Sequence, residues 1–118
     1  MAVLFVEYPK CSTCRKAKKW LDEQGVEYID RHIVEDNPSA EELAAWHAQS
    51  GLAARRFFNT SGKLYREMGL SRKLKSMSDP EMFDLLAGDG MLVKRPILVD
   101  GDTVLVGFKE QEWADKLL

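Results

Sequence analysis

Hydrophobic positions change period several times along the chain, and each change marks an element. A short apolar run, Val3-Leu4-Phe5-Val6, is closed by Glu7 and Tyr8-Pro9. It is too short for a helix and is bounded by a turn signal, so residues 2–7 are predicted as a buried strand. From Ser12 to Gln24 there is neither Gly nor Pro. Cys14, Ala17, Trp20, Leu21 and Gln24 fall on one helical side, while Arg15, Lys16, Lys19, Asp22 and Glu23 crowd the other. That pattern predicts a helix capped by Gly25. Val26 to Ile33 alternates loosely and predicts a second strand, and the short return from the helix favours parallel pairing with the first.

The middle of the chain has helical punctuation. Glu35-Asp36-Asn37-Pro38 reads as a loop, and Ser39-x-x-Glu42 is a capping box opening a helix that carries Leu43, Trp46 and His47 up to Gly51. Phe57-Phe58 looks like an apolar anchor followed by the turn Asn59-Thr60-Ser61-Gly62. Lys63 to Met68 and Ser71 to Met77 read as short helical pieces separated by Gly69. Ser78-Asp79-Pro80-Glu81 starts another helix, with Met82, Leu85 and Leu86 on its apolar side. Two β-rich runs, Ile97-Leu98-Val99 and Thr103-Val104-Leu105-Val106, flank Asp100-Gly101-Asp102, a hairpin signal. Lys109 to Leu118 reads as a terminal helix. Trp20, Trp46 and Trp113, at helical spacing, are expected as core anchors rather than stacking platforms for bases.

The resulting order is β-α-β, a helical stretch over about residues 35–93, then β-β-α. This is an α/β pattern, and 118 residues suffice for one domain with its own core. Composition adds little: 45% hydrophobic and 31% charged residues are ordinary for a globular protein. A net charge of −2 makes direct nucleic-acid binding an unfavourable reading. No apolar run approaches a membrane span, and the N-terminal run lacks the basic flank of a secretory signal. Two cysteines without such a signal fit a reducing cytoplasm, where the pair is expected to be reactive rather than structural.

Chemistry concentrates in Tyr8-Pro9-Lys10-Cys11-Ser12-Thr13-Cys14-Arg15-Lys16, which contains both cysteines. A strand that turns into a helix through Cys-x-x-Cys places the first sulfur at the helix N-terminus, where unpaired N–H groups and the helix dipole favour a thiolate. Cys11 is therefore the expected nucleophile, aided by the Lys/Arg run from Arg15 to Lys19. Cys14, one turn on and toward the packed side, is the expected resolving thiol. The alternatives are two inert buried thiols or a zinc site. Only His32 and His47 could complete the latter, and their positions on separate elements do not form the close pair of a zinc finger. No metal is expected, and neither histidine is coupled to Cys11 by sequence.

The element order, with Cys-x-x-Cys closing the first strand, resembles a thioredoxin-like fold: a mixed four-stranded sheet with a helical insertion. More narrowly, the cysteine motif, Phe57-Phe58-Asn59-Thr60-Ser61-Gly62, Lys94-Arg95-Pro96-Ile97 and Val106-Gly107-Phe108 resemble the ArsC/Spx family, in its Spx/MgsR-like branch. That family holds glutaredoxin-linked arsenate reductases and Spx-type transcriptional regulators. The resemblance implies that Cys11 is the nucleophilic or redox-sensing cysteine, that Arg95 binds an oxyanion, and that Pro96 is the cis-proline facing the cysteine. In that position the Arg95 backbone would be ready to pair with an extended peptide or glutathione. Lys10, Ser12, Thr13, Arg15, Asn59 and Pro96 are then expected to contact substrate or partner. Two further arginines of the arsenate reductases fall on Asn59 and near Phe108, neither of which supplies a cation.

Two functions follow as expectations. One is a thiol–disulfide redox protein with no bound cofactor, for which glutathione, glutaredoxin or thioredoxin is the candidate reductant, with arsenate reductase-like chemistry as a variant. The other is an Spx-like regulator without turnover, whose Cys11–Cys14 disulfide alters docking on RNA polymerase. An exposed Arg95 is expected to matter little to folding.

Overall fold

The computed structural model describes residues 2–118. Its centre is a four-stranded sheet in the order β2-β1-β3-β4, built from β1 (Val3–Glu7), β2 (Tyr28–His32), β3 (Ile97–Asp100) and β4 (Thr103–Val106). β1 and β2 run parallel with Val3 opposite Tyr28 and Glu7 opposite His32. β3 is antiparallel to both β1 and β4, with Val6 opposite Ile97 and Asp100 opposite Thr103. This is the mixed sheet of a thioredoxin-like α/β fold. The parallel pair is joined by α1 (Ser12–Glu23), and Gly25, at φ 70°, turns the chain back where a side chain would be strained.

Alternation along β1 sends successive side chains to opposite faces of the sheet. Val3 and Phe5 pack with Ala17, Trp20 and Leu21 of α1 and with Trp113 of the C-terminal helix α6 (Glu110–Leu117). Leu4, Val6 and Tyr8 face the other way, into the helices between β2 and β3. These are α2 (Ala40–Ser50), α3 (Lys63–Glu67), α4 (Leu70–Lys73) and α5 (Asp79–Gly88). The capping box expected at Ser39 forms, and the helix start at Ser78 proves to be a second one. Ser39 and Glu42 exchange hydrogen bonds at the start of α2, as do Ser78 and Glu81 at the start of α5. Phe57 and Phe58 are buried, as are Trp20, Trp46 and Trp113.

β2 is shorter than the alternation suggests, because Val26 already bonds back to the Leu21 carbonyl and belongs to the turn. The insertion is tied to the sheet edge by Arg31, whose Nη1 and Nη2 donate to the two Glu42 carboxylate oxygens at 2.6 and 2.9 Å. This fork holds the Glu42 carboxyl down to about pKa 2, against burial and with help from the Ser39 amide. At the same end of the sheet, where Val6 is in register with both Arg31 and Ile97, the Arg95–Pro96 peptide is cis.

Candidate active site

Cys11 is the N-cap of α1, with extended backbone (φ −83°, ψ 124°). Its N–H donates to the Tyr8 carbonyl at 2.9 Å, and its own carbonyl accepts from Arg15 at 3.0 Å. The turn from β1 therefore delivers the sulfur to the end of the helix where first-turn N–H groups lack intrahelical partners. As a neutral thiol Cys11 forms no capping hydrogen bond, since sulfur accepts weakly. The thiolate is different. Partial burial works against the charge, but the Cys14 N–H, the Cys14 thiol, the Thr13 N–H and the Arg95 charge outweigh it, and the Cys11 pKa falls.

Cys14 lies one turn on and is 1% exposed. Its sulfur accepts from the Tyr8 N–H at 3.5 Å, which fixes it over the end of β1. Burial pushes its thiol up to about 12. The Tyr8 N–H opposes this, and the neighbouring Cys11 and Glu7 add to it. A single helical turn thus holds one thiol poised to ionise and one kept protonated, the arrangement needed for sequential attack.

In front of Cys11 opens a cleft of about 570 Å³. Lys10, Arg56, Lys94, Arg95 and Lys109 line it, and no Asp or Glu does. In a chain of net charge −2, that segregation is a property of the folded surface. The far wall is assembled by a short antiparallel contact. Lys94 N–H donates to the Phe57 carbonyl at 2.8 Å and Asn59 N–H to the Leu92 carbonyl at 2.7 Å, around a Phe58–Val93 bridge. Gly62 belongs to the same wall, since a Cβ there would stand 2.7 Å from Asn59 Nδ2. Arg95 donates from Nη1 to the Met91 and Val93 carbonyls at 3.1 and 3.4 Å, and its guanidinium carbon sits 5.2 Å from the Tyr8 ring centre. Its expected irrelevance to folding is revised accordingly, because it satisfies two carbonyls of the insertion's last turn.

Of the residues singled out from sequence, Lys10, Cys11, Ser12, Thr13, Asn59 and Arg95 share this cleft. Cys14 lies beneath it. Pro96 borders it without lining it, and Arg15 is exposed on α1 outside it. Arg56, Lys94 and Lys109 were not singled out. Nothing in the local pattern of Arg55-Arg56 or Lys109 marks either as facing Cys11, and only the folded chain brings them there. Glu7, buried at 4% exposure, was also passed over, although period-two alternation from Val3 and Phe5 aims it inward. Among the described residues no three His, Cys, Asp or Glu side chains converge on a cation position. His32 Nδ1 instead accepts the N–H groups of Val34 and Glu35, each at 3.1 Å.

The family model described as "ArsC family" matches residues 6–116. The chain belongs to the ArsC family. YusI of Bacillus subtilis, an uncharacterised protein, is 55% identical over 115 residues, covering 98% of each chain. An ArsC family related protein of Bacteroides fragilis has a crystal structure 56% identical to this chain, with a TM-score of 0.94 over 98% of this chain and 97% of that one. The regulatory protein MgsR of Bacillus subtilis is 30% identical over 108 residues, covering 92% of this chain and 84% of its own. Relatives of this chain therefore include a regulator as well as ArsC-related proteins.

Proposed function

We propose that this ArsC-family protein is a thiol–disulfide exchange protein acting on anionic partners. The observation that carries the reading is the opposite poise of two thiols one turn apart, Cys11 in a cleft whose charged lining residues are all cations and Cys14 buried beneath it. Cys11 thiolate attacks a disulfide sulfur, expels one thiolate, and forms a mixed disulfide. Cys14 then attacks Cys11 Sγ and releases the second thiolate, leaving a Cys11–Cys14 disulfide. A thiol reductant of the glutathione, glutaredoxin or thioredoxin class restores the dithiol. Lys10, Arg56, Lys94, Arg95 and Lys109 favour carboxylate-bearing partners and the developing thiolate charge. Asn59 adds a neutral polar group to the same wall.

Arsenate is a poor fit to the full donor set of a dedicated reductase. Arg95 is retained, but Asn59 and Phe108 supply no charge, and each missing donor costs roughly 10²–10³ in rate. The test is turnover on low-molecular-weight and protein disulfides beside arsenate, with Cys11→Ser and Cys14→Ser as controls. Disulfide exchange dependent on both cysteines supports the reading, and arsenate turnover without disulfide exchange overturns it.

A second reading is favoured by the similarity to MgsR. In it, the same disulfide switches docking on RNA polymerase, as the resemblance to Spx-type regulators implies. Co-purification of the polymerase with one redox state, together with absent exchange activity, would select it.

A further inference from the structure

We infer that the open edge of β4 is a docking strip for an extended, acidic segment of a partner protein. The segment pairs with β4 strand to strand and leads into the Cys11 cleft. The inference rests on the exchange reading above and gives the form of its partner: a protein disulfide carried beside such a segment.

β4 is the outermost strand on its side of the sheet, with β3 as its neighbour. The Gly107 N–H donates to the Pro96 carbonyl at 2.8 Å, which fixes the phase of the ladder. Leu105 opposite Leu98 and Thr103 opposite Asp100 fall in the same bonded phase, two and four residues back along β4. Val106 opposite Ile97 and Val104 opposite Val99 are the intervening pairs. Their N–H and C=O groups on β4 therefore point away from the sheet. Among the described residues, no backbone group outside the sheet bonds to either.

This edge opens into a groove of about 300 Å³ that all four residues of β4 line. Val104 and Leu105 turn their side chains into the two cores, so β4 offers the groove backbone. Ser50 and Leu52, at the end of α2, wall it on the insertion side. Lys109, Glu112 and Lys116 wall it on the α6 side. Arg56, Val106 and Lys109 line both this groove and the Cys11 cleft, so the two are continuous.

Outward N–H and C=O groups on alternate residues suit an extended chain, which can meet them in register. The walls set its charge. Arg56, Lys109 and Lys116 have no ion-pair partner among the described residues, against the two acids Asp102 and Glu112. Lys109 and Lys116 are two helical turns apart, about 10 Å, which is close to the length of three strand residues. One face of a docked strand thus meets lysines and the other meets Leu52 and Arg56. A segment alternating acidic and apolar residues satisfies both faces, and a basic segment is repelled. The β4 of a second copy, Thr-Val-Leu-Val, brings no carboxylate to the lysines.

Binding is read on the Cys11→Ser chain, apart from thiol chemistry, with the peptide acetyl-Glu-Val-Glu-Val-Glu-Val-amide as probe. In heteronuclear NMR spectra the Val104 and Val106 amides should shift, and their hydrogen exchange should slow about tenfold at saturation. Thr103 and Leu105, already bonded to β3, should move less. The same peptide with lysine in place of glutamate should not bind. Of two probes N-methylated at the valines or at the glutamates, one should lose binding and the other keep it, because only alternate amides face β4. Val106→Pro removes an outward N–H and no ladder bond, so it should weaken the probe about fivefold or more while the chain stays folded. Lys116→Glu should weaken it comparably and serves if the proline variant does not fold. Binding of the lysine peptide, indifference to both methylation patterns, or shifts confined to the Cys11 cleft would overturn the inference. So would Val104 and Val106 amides already protected in the free chain and released on dilution, which would mean pairing of two copies. Peptide binding without disulfide exchange by the wild type would remove the exchange reading and leave the docking strip standing, and exchange without peptide binding would do the reverse.

Discussion

The two sides of the Cys-x-x-Cys turn are electrostatic opposites. On the open side, Cys11 faces five cationic side chains and no carboxylate. On the closed side, buried Cys14 feels the Glu7 charge, and Glu7 in turn has Asp30 and Lys18 as its charged neighbours. The difference teaches that the motif orders the two thiols, and that the charges the fold brings to each side reinforce that order. Cys11 ionises because helix amides and Arg95 stabilise its charge, and Cys14 stays protonated because burial and an anionic strand end do not.

The sharpest break is at Cys11 itself. Cys11→Ser should abolish both phases of disulfide exchange, because no other exposed thiolate exists to begin it, whereas Cys14→Ser should stop at a stable mixed disulfide detectable by mass spectrometry. Limited iodoacetamide labelling of the reduced protein between about pH 5 and 8 should modify Cys11 first. Preferential labelling of Cys14 would invert the comparison.

Next in size is the charge of the cleft. Replacing Lys10, Arg56 and Lys109 together with Gln should slow reaction with an anionic disulfide about tenfold at low salt and leave a neutral disulfide unaffected. Added salt should erase the difference. Equal effects on both disulfides would mean that the cations act on Cys11 rather than on the partner. Arg95→Ala should lower exchange as well, and through its two lost carbonyl bonds it should also lower Tm by several degrees.

The closed side is read by stability against pH. Glu7 binds its proton more tightly folded, at about 7, than unfolded, near 4.5. Its contribution is therefore fully present below pH 4.5 and is lost as pH rises through 7. Thermal melts should show wild-type Tm declining between about pH 5 and 8 relative to Glu7→Gln, and parallel curves would contradict the buried-acid assignment. The Arg31–Glu42 fork supplies the contrasting sign. With Glu42 held near 2, its contribution is present above pH 4.5 and is lost as pH falls toward 2. Arg31→Ala should cost about 1–3 kcal/mol at neutral pH, with little direct effect on Cys11 chemistry.

Local pattern was informative where one segment carried its own signal. The apolar run of β1, the amphipathic α1, the Ser39 capping box, the helix start at Ser78 and the Asp-Gly hairpin all form close to their sequence positions, because each is decided by neighbours within a few residues. The span 52–77 was only coarsely legible. Its short helices bury few residues of their own and are held by Phe57, Phe58, Leu70 and Leu74 packing into the insertion core. At the site, Cys11, Cys14 and Arg95 could be picked out by motif, and Lys94 stands in the same motif as Arg95, whereas Arg56 and Lys109 had no such signal.

The sequence by itself determined the order of elements and the place of two thiols at a strand-to-helix turn, since periodicity and capping act over one or two turns of chain. Only the tertiary structure decided which charges surround those thiols. Arg56 and Lys109 come from segments more than forty residues downstream of Cys11, and Asp30 reaches Glu7 through the parallel register of β2. Charge interactions depend on distance through space and on burial, and neither is defined until the sheet has closed around the turn.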